Sequence, residues 1–467
     1  MRPVRSIPLW LCAVVVTASA GCAVKDPPPP NESLAGVLPQ TTAVPAAWRA
    51  AGAVDGIVNT DWVQTFADAQ LEALIAEGLF NNLDLKAAAA RVDVASAIVV
   101  QARALLYPQF VAVAGVGAVG RDDTHDRSAL AGELSWELDL WGRVRAQGAS
   151  ATAARMATEA DLLYARQSLA AMVATVWYQT VATERLRLTA LESAGVYEEL
   201  LRLVRTKNEL GQIGRQDVAL AGADLDRARQ RERAFATSGQ QIARGLEVMV
   251  GRYPAAELAL RPDLPSLPGP VPDGLPSELL QRRPDVVAAE RRMASAFHSI
   301  QVAEASRWPR ISLTAGGGRS TSDLLRLANV PAGFWRVGAD LFWPLLTGGA
   351  LKAEVERATA EQQAALALYG QTALRAFSEV ESTLANEQLL ADQQKYLESV
   401  LTQDAEALRL GRLRYDAGAT DFLHVLQMQA RLLSSQFDLI AIRNDRLANR
   451  VALHLALGGG FVPPPSP

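Results

Sequence analysis

The chain has 467 residues, 49% hydrophobic, 21% charged and 6% aromatic, which is enough apolar material for a large buried core and too much for a disordered polymer. Lys and Arg number 46 against 50 acidic side chains, a formal charge of -4, so no basic excess exists to neutralise a phosphate backbone and nucleic acid is not expected as a partner. The two cysteines, Cys12 and Cys22, lie near the start and the four histidines (His125, His298, His424, His454) are far apart. Thiol nucleophiles, zinc-thiolate sites and catalytic triads have little to build on, and the expectation is a protein that is not an enzyme, with no catalytic residues, no metal and no cofactor.

In chain order, Arg2 and Arg5 precede an apolar run from Ile7 to Ala20 that is shorter than the roughly 20 residues needed to cross a bilayer. Residues 1–21 are therefore expected to be a signal peptide. The sequence Ser19-Ala20-Gly21-Cys22 resembles the lipobox of bacterial lipoproteins, although that pattern usually has leucine at the position of Ser19. The resemblance implies that Cys22 becomes the new N-terminus and the site of lipid attachment (palmitate). Ala23, where aspartate would signal inner-membrane retention, implies sorting to the outer membrane. Residues 22–60 then form a lipidated extended segment, stiffened by Pro27 to Pro30. No later stretch offers 18 consecutive apolar residues, so any membrane-spanning part of the mature chain has to be a closed β-barrel.

Proline spacing organises the remainder. None occurs between Pro108 and Pro254 or between Pro344 and Pro463, and each gap can hold long helices. The prolines from Pro254 to Pro276 mark a connector, 252–276, between a first repeat, 61–251, and a second, 277–458, which is followed by a tail, 459–467. Asn82-Leu83-Asp84-Leu85 and Tyr107-Pro108 precede Arg283-Pro284-Asp285-Val286 and Trp308-Pro309 by a constant 201 positions. Gly211 and Gly251 precede Gly418 and Gly458 by 207, so the second half gains about six residues in its strand region. Each half is predicted to contain a helix, two strands, a long helix and a shorter one. In the first half these are Leu71 to Leu105, Gln109 to Gly120, Leu130 to Trp141, Arg143 to about Leu210, and Arg215 to Val250. The corresponding helices of the second half are Ser277 to Ser306, Leu351 to Tyr415 and Asp421 to Leu457.

The second strand of each half alternates. Leu134, Trp136, Leu138 and Leu140 oppose Glu133, Ser135, Glu137 and Asp139, while Trp335, Val337, Ala339, Leu341 and Trp343 oppose Arg336, Gly338 and Asp340. A soluble sandwich would show the same alternation. The gathering of Tyr107, Trp136, Trp141, Trp308, Trp335 and Trp343 in these short segments favours membrane-interface belts. Four strands cannot close a barrel and an open edge in lipid leaves backbone groups unpaired, so three subunits giving about twelve strands are expected to enclose a water-filled lumen.

Two segments, Leu275-Pro276-Ser277-Glu278-Leu279-Leu280-Gln281-Arg282-Arg283-Pro284-Asp285 and Arg414-Tyr415-Asp416-Ala417-Gly418 continued by Val425-Leu426-x-x-Gln429, resemble the trimeric TolC-like outer-membrane efflux channels, in particular their lipoprotein branch serving drug-exporting pumps. The likeness covers nearly all of the mature chain. It implies a mainly α fold with a membrane β-barrel portion, in which an internally duplicated subunit gives four strands and long helices to a trimeric 12-stranded barrel and a coiled-coil-like α-helical tunnel. The implied function is the outer-membrane channel of a tripartite efflux system, a passive exit duct for small molecules or drugs that contributes to antibiotic resistance. The implied partners are two further copies, a periplasmic adaptor, an inner-membrane pump and outer-membrane lipid, in a Gram-negative bacterium. A periplasmic adaptor lipoprotein is the alternative, and a single helical hairpin would favour it over the two helical sets found here.

The turns 208–214 and 415–421 end the long helices and would form the periplasmic tip. Gly211 and Gly418 suit a left-handed helix stop, which explains them on structural grounds alone, and Gly214 lies in the first turn. Leu423 and Gln427, four apart and so on one helical face, are the gate candidates, each repeated as a ring by threefold symmetry. Some relatives in the resembling family have aspartate where Gln427 stands. Asp416 and Asp421 are close enough to substitute, but Asp421 serves equally well as a helix cap. On the strands, Glu133, Glu137, Asp139 and Asp340 outnumber Arg336 on the inward face, so cation preference is expected. Gly115-x-Gly117-x-x-Gly120 satisfies a dinucleotide pattern but leads into a strand, not a helix, and Asp122, Asp123, His125 and Asp126 could bind a divalent ion, although a polar loop between two membrane strands explains them equally well.

Overall fold

The computed structural model describes residues 24–39, 44–50, 61–120, 124–261, 263–272, 276–321 and 333–459. Cys22 and the signal peptide lie outside the described residues, as do Asp122, Asp123 and the side chains of His125 and Asp126.

The described elements begin with α1 (Pro30–Val37) and a 3-10 turn (Trp62–Phe66), followed by α2 (Ala69–Asn81), α3 (Leu83–Ala104), β1 (Gln109–Gly120), β2 (Thr124–Leu138), α4 (Arg143–Glu209) and α5 (Arg215–Met249). After the connector come α6 (Pro276–Arg282), α7 (Pro284–Ala305), β3 (Arg310–Thr321), β4 (Gly333–Phe342), α8 (Ala350–Asp416) and α9 (Phe422–Ala456). The two sets match in length: 22 residues in α3 and α7, 67 in α4 and α8, 35 in α5 and α9. A helix of 67 residues is ~100 Å long at 1.5 Å per residue. Among the described residues no helix is long and apolar enough to cross a membrane.

The single helical runs predicted for Leu71 to Leu105 and Ser277 to Ser306 are each broken in two. Asn82 leaves the helical region (φ -57, ψ 126) because its side chain is used twice: Oδ1 accepts the Leu85 N–H (3.0 Å) and Nδ2 donates to the Met249 carbonyl (2.9 Å). At the second break Pro284 supplies no N–H and disfavours helix at Arg283, yet suits the first position of α7.

Two compact units cut across the sequence halves. One comprises Ala89–Asp161 and Asp285–Thr372 with the described part of the first 42 residues, and so contains all four strands. Its N-terminal arm is pinned to α7, where the Gln301 side chain accepts the Lys25 N–H (2.9 Å) and donates to the Lys25 carbonyl (2.8 Å). The other comprises Ala43–Ala88, Leu162–Pro284 and Ala373–Pro467. Its core gathers Trp62, Phe66, Leu71, Ile75, Trp177, Tyr178, Leu246, Leu447 and Val451.

Within that core His454 is 2% exposed, stacked on Trp62 (5.5 Å between ring centroids), and neither ring nitrogen has a hydrogen-bond partner among the described residues. Burial, reinforced by the nearby Arg450 charge, lowers its pKa to about 4. A histidine with a depressed folded pKa binds fewer protons than the unfolded chain, so stability is lost as pH falls from about 6.5 toward 4. His454→Phe is expected to flatten the pH dependence of the melting temperature across this window, recovering on the order of 3 kcal/mol at the acid end. Parallel melting curves for wild type and variant from pH 7 to pH 4 would contradict it.

The strands form one antiparallel sheet in the order β1-β2-β3-β4. Glu133 stands opposite Gly316, and Gly316 opposite Arg336, so these three share a face; Leu134, Ala315 and Val337 share the other. The first strands keep the offset of 201, but Ser135 pairs with Gln109 as Phe342 pairs with Arg310, an offset of 207. The six extra residues therefore fall between β3 and β4. β2 ends at Leu138, three residues short of the alternation that sequence extends to Trp141. Asp139 thereby leaves the sheet: its carboxylate accepts the N–H groups of Val144 (3.0 Å) and Arg145 (2.9 Å) and caps α4.

Candidate functional site

The two tip turns are built alike. Gly211 and Gly418 both have φ +71, a conformation that costs glycine nothing, and no neighbour crowds either α-carbon. The Gln212 N–H reaches back to the Lys207 carbonyl (2.9 Å) and the Ala419 N–H to that of Arg414 (2.8 Å), the Schellman pattern that satisfies the last helical carbonyls. Gly214 and Asp421 are equivalent positions that begin α5 and α9. The Gly214 N–H donates to Asp217 (3.3 Å), whereas Asp421 accepts the His424 N–H (3.0 Å). The Asp421 carboxylate is thus engaged as a cap. Asp416 is the exposed last residue of α8.

Leu423 and Gln427 are both exposed, while Phe422 and Leu426 face inward with Tyr197, Leu201, Val204 and Leu225. Their four-residue spacing leaves them as neighbours on one open face of α9. Beside them the end of α4 meets the end of α8: Lys207 Nζ lies 4.0 Å from the centre of the Tyr415 ring, and Tyr415 packs against Phe422 (5.7 Å). Arg412 donates to Gln429 Oε1 (2.9 Å), tying α8 to the buried side of α9. Sequence reasoning missed Lys207, which meets Tyr415 from the other half, and Arg412, which meets Gln429 from the neighbouring helix, because no periodicity or motif signals a contact between separate helices.

On the sheet, counting charges by strand face overstated the free carboxylates. Arg336 reaches across Gly316 to Glu133 (2.6 Å), Arg143 pairs with Glu137 (2.8 Å) and Arg145 with Asp139 (3.1 Å). Two of these arginines belong to α4 and are invisible to an alternation count. Asp340 accepts the Thr314 hydroxyl (3.1 Å) and, among the described residues, pairs with no cation. The junctions between strands and helices carry the aromatic residues. Trp136 Nε1 donates to the Leu106 carbonyl (2.9 Å), Trp141 Nε1 donates to the Pro309 carbonyl (2.6 Å), and Trp141 stacks on Trp308 (5.4 Å). Phe110, Leu134, Leu341 and Trp335, all on the face away from Glu133, remain exposed. Among the described residues no group of three His, Cys, Asp or Glu side chains is placed to hold a metal ion.

A two-edged sheet with one exposed apolar face, joined to helices of ~100 Å that end in matched glycine turns, defines the subunit of a membrane channel with a helical tunnel. The chain belongs to the outer membrane efflux protein family, whose description matches residues 74–252 and 275–459. It is 33% identical over 440 residues to the pyoverdine export outer membrane protein OpmQ of Pseudomonas aeruginosa, covering 90% of this chain and 92% of the relative. It is 32% identical over 469 residues to the probable efflux pump outer membrane protein TtgC of Pseudomonas putida, covering 97% and 96%. The solved structure of the outer-membrane channel OprN superposes with a TM-score of 0.83 at 27% identity, covering 91% of this chain and 99% of that one. Channels of this family are homotrimers that work with a periplasmic adaptor and an inner-membrane pump. The chain is an outer-membrane channel component of a tripartite efflux system in a Gram-negative bacterium, not the adaptor. Its relatives are channel proteins and not enzymes.

Proposed function

We propose that the chain is a passive exit duct, lipid-anchored through Cys22, that moves small molecules out of the cell without catalysis or a cofactor of its own. The observation that carries this reading is the sheet: β1 and β4 each keep one unpaired edge while one face is apolar and exposed. Such a surface is stable in lipid only when the edges are closed by identical neighbours. Three copies make a barrel of about twelve strands, with Glu133, Glu137, Arg336 and Asp340 on the face turned to water. Asp139, taken up by the α4 cap, would sit at the barrel's periplasmic rim. The domain reading follows the same logic, with two repeats, 61–251 and 277–458, joined by the connector 252–276. Gly211, Gly214 and Gly418 shape the tip turns, and Leu423 and Gln427 narrow the duct there.

The anchor fits the arm. Lys25, three residues beyond Cys22, is fixed to Gln301, which precedes β3 by only nine residues, so a lipid on Cys22 is held near the periplasmic rim of the barrel. The test is detergent extraction of outer membranes followed by native and denaturing mass measurement. The expected species is a trimer whose chains start at Cys22 and carry acyl groups that Cys22→Ala abolishes. A stable, water-soluble monomer would overturn the duct, and an unacylated trimer would overturn the anchor alone.

A further inference from the structure

The internal duplication contains information about a contact that one chain cannot show. Within the subunit, the second strand of the first repeat pairs with the first strand of the second repeat, β2 with β3, in the register Glu133↔Gly316 and Leu138↔Ile311. In a barrel of repeated hairpins the next seam, β4 with β1 of the following copy, is the equivalent junction. The two hairpin registers fix the equivalences: β1 residues correspond to β3 residues 201 further on, and β2 residues to β4 residues 207 further on. Glu133 then corresponds to Asp340, Leu134 to Leu341, Trp136 to Trp343, and Gly115 to Gly316.

On the shared-barrel reading above, we propose that β4 of one copy pairs with β1 of the next in the register Asp340↔Gly115, Leu341↔Ala114 and Phe342↔Val113, and that this seam leaves Asp340 as the uncompensated, charge-selecting group of the lumen. The face assignments agree independently of the equivalence. Asp340 shares its face with Arg336, and Gly115 lies on the same side through its partner Ala129, in line with Ala131 and Glu133. Leu341 and Ala114 both fall on the apolar side. A slip by one residue would turn every side chain of the seam to the wrong solvent. The register also continues to Trp343↔Ala112 and Leu345↔Phe110, which pairs β4 three residues beyond Phe342 and covers Leu345, 75% exposed in the single chain.

The electrostatic consequence comes from where the repeats differ. In the seam inside the subunit, Glu133 faces Gly316 and the strand beyond brings Arg336, whose guanidinium crosses the glycine to the carboxylate at 2.6 Å. Gly316 keeps that path open, since a Cβ there would stand 3.2 Å from Arg336 Nε. In the seam between copies, Asp340 faces Gly115, but the strand beyond presents Ala129 at the position equivalent to Arg336. The acid and the glycine are retained and the cation equivalent to Arg336 is absent. Threefold symmetry makes this a ring of three carboxylates, each holding only the Thr314 hydroxyl, beside a ring of Glu133–Arg336 pairs that is neutral overall. Mobile cations are the partners this chemistry recruits.

Paired cysteines test the register in the full-length, membrane-extracted protein. Neighbouring pairs in an antiparallel ladder alternate between wide and narrow, so L341C/A114C or F342C/V113C presents the close geometry. Oxidation is expected to give covalent dimers and trimers from at least one of these pairs. None is expected from the single-cysteine chains or from the shifted pairs L341C/A112C and L341C/V116C. Cross-linking by a shifted pair instead overturns the register while leaving the shared barrel intact. A trimeric mass without cross-linking by any pair overturns the register in the same way, and a monomeric mass overturns the barrel reading itself. In planar bilayers, Asp340→Asn is expected to move the cation-to-anion permeability ratio toward unity, and Glu133→Gln, which frees Arg336, to move it toward anions. An unchanged reversal potential in D340N, with wild-type trimer yield, overturns the role of Asp340.

Discussion

Replacing Asp68 with alanine is expected to destabilise the helical unit by about 3–5 kcal/mol, the range for leaving the partners of a buried carboxylate without compensation. Asp68 is 4% exposed and its two oxygens serve three separate elements. Oδ1 caps α2 by accepting the N–H groups of Gln70 (3.2 Å) and Leu71 (3.3 Å); Oδ2 accepts the Trp177 indole N–H (3.0 Å) from α4 and the Arg261 guanidinium (2.8 Å) from the connector. Loss of the cap alone costs ~1 kcal/mol, and the Trp177 N–H, enclosed in the core, can find no water to replace its acceptor. Asp68→Asn keeps one acceptor oxygen, enough for the cap, but sets an NH2 donor where Oδ2 accepts from Trp177 and Arg261, so a loss smaller than that of the alanine variant is expected from it. Arg261→Ala should cost least, because Arg261 is about one-third exposed and its pairing is partly screened. Thermal melting of the three variants in detergent checks the order. A melting temperature for D68A equal to that of R261A would show that the carboxylate is not the shared fastener.

The same residues show how far the sequence could be read. The long helices were legible because proline is absent from two stretches and alanine and leucine fill them, and the strands because a period of two is hard to imitate in a helix. The duplication was legible because the glycines that end helices must stay in register with what they end. The break at Asn82 was not legible, since its Nδ2 is satisfied by Met249, 167 positions away. Pro284 did announce the second break, and the expected run from Ser277 to Ser306 ignored that signal. The charge balance of the sheet failed for a different reason. Alternation assigns a face to a strand residue, but it says nothing of Arg143 and Arg145, which reach the carboxylates Glu137 and Asp139 from a helix. At the tip, pattern reasoning put Leu423 and Gln427 on one helical face and left Asp421 open between gate and cap, and the structure adds the exposure of the first two and the cap at the third. Pattern reasoning could not find Lys207 over Tyr415, a contact that exists only when the two repeats are assembled.

Leu423→Ala and Gln427→Ala, singly and together, are expected to raise single-channel conductance severalfold, with the double variant the largest. The two side chains are exposed on one face of α9, whereas the opposite side of the same turns, Phe422 and Leu426, is buried against α4 and α5. Truncating the exposed pair therefore removes bulk from whatever that face constricts without opening a cavity in the tip, and the Asp421 cap and the Gly418 turn beside it stay intact. Phe422→Ala is the informative contrast. It takes the ring from Tyr415 and the buried cluster, so it should lower stability by about 3–5 kcal/mol through cavity formation, with any change in conductance accompanied by a lowered melting temperature. Asp421→Asn keeps an acceptor for the His424 N–H and removes the negative charge. A large conductance change in D421N with none in L423A or Q427A would move the gate from the exposed α9 face to the cap. Unchanged conductance and unchanged antibiotic leakage in both alanine variants would reject Leu423 and Gln427 as the constriction.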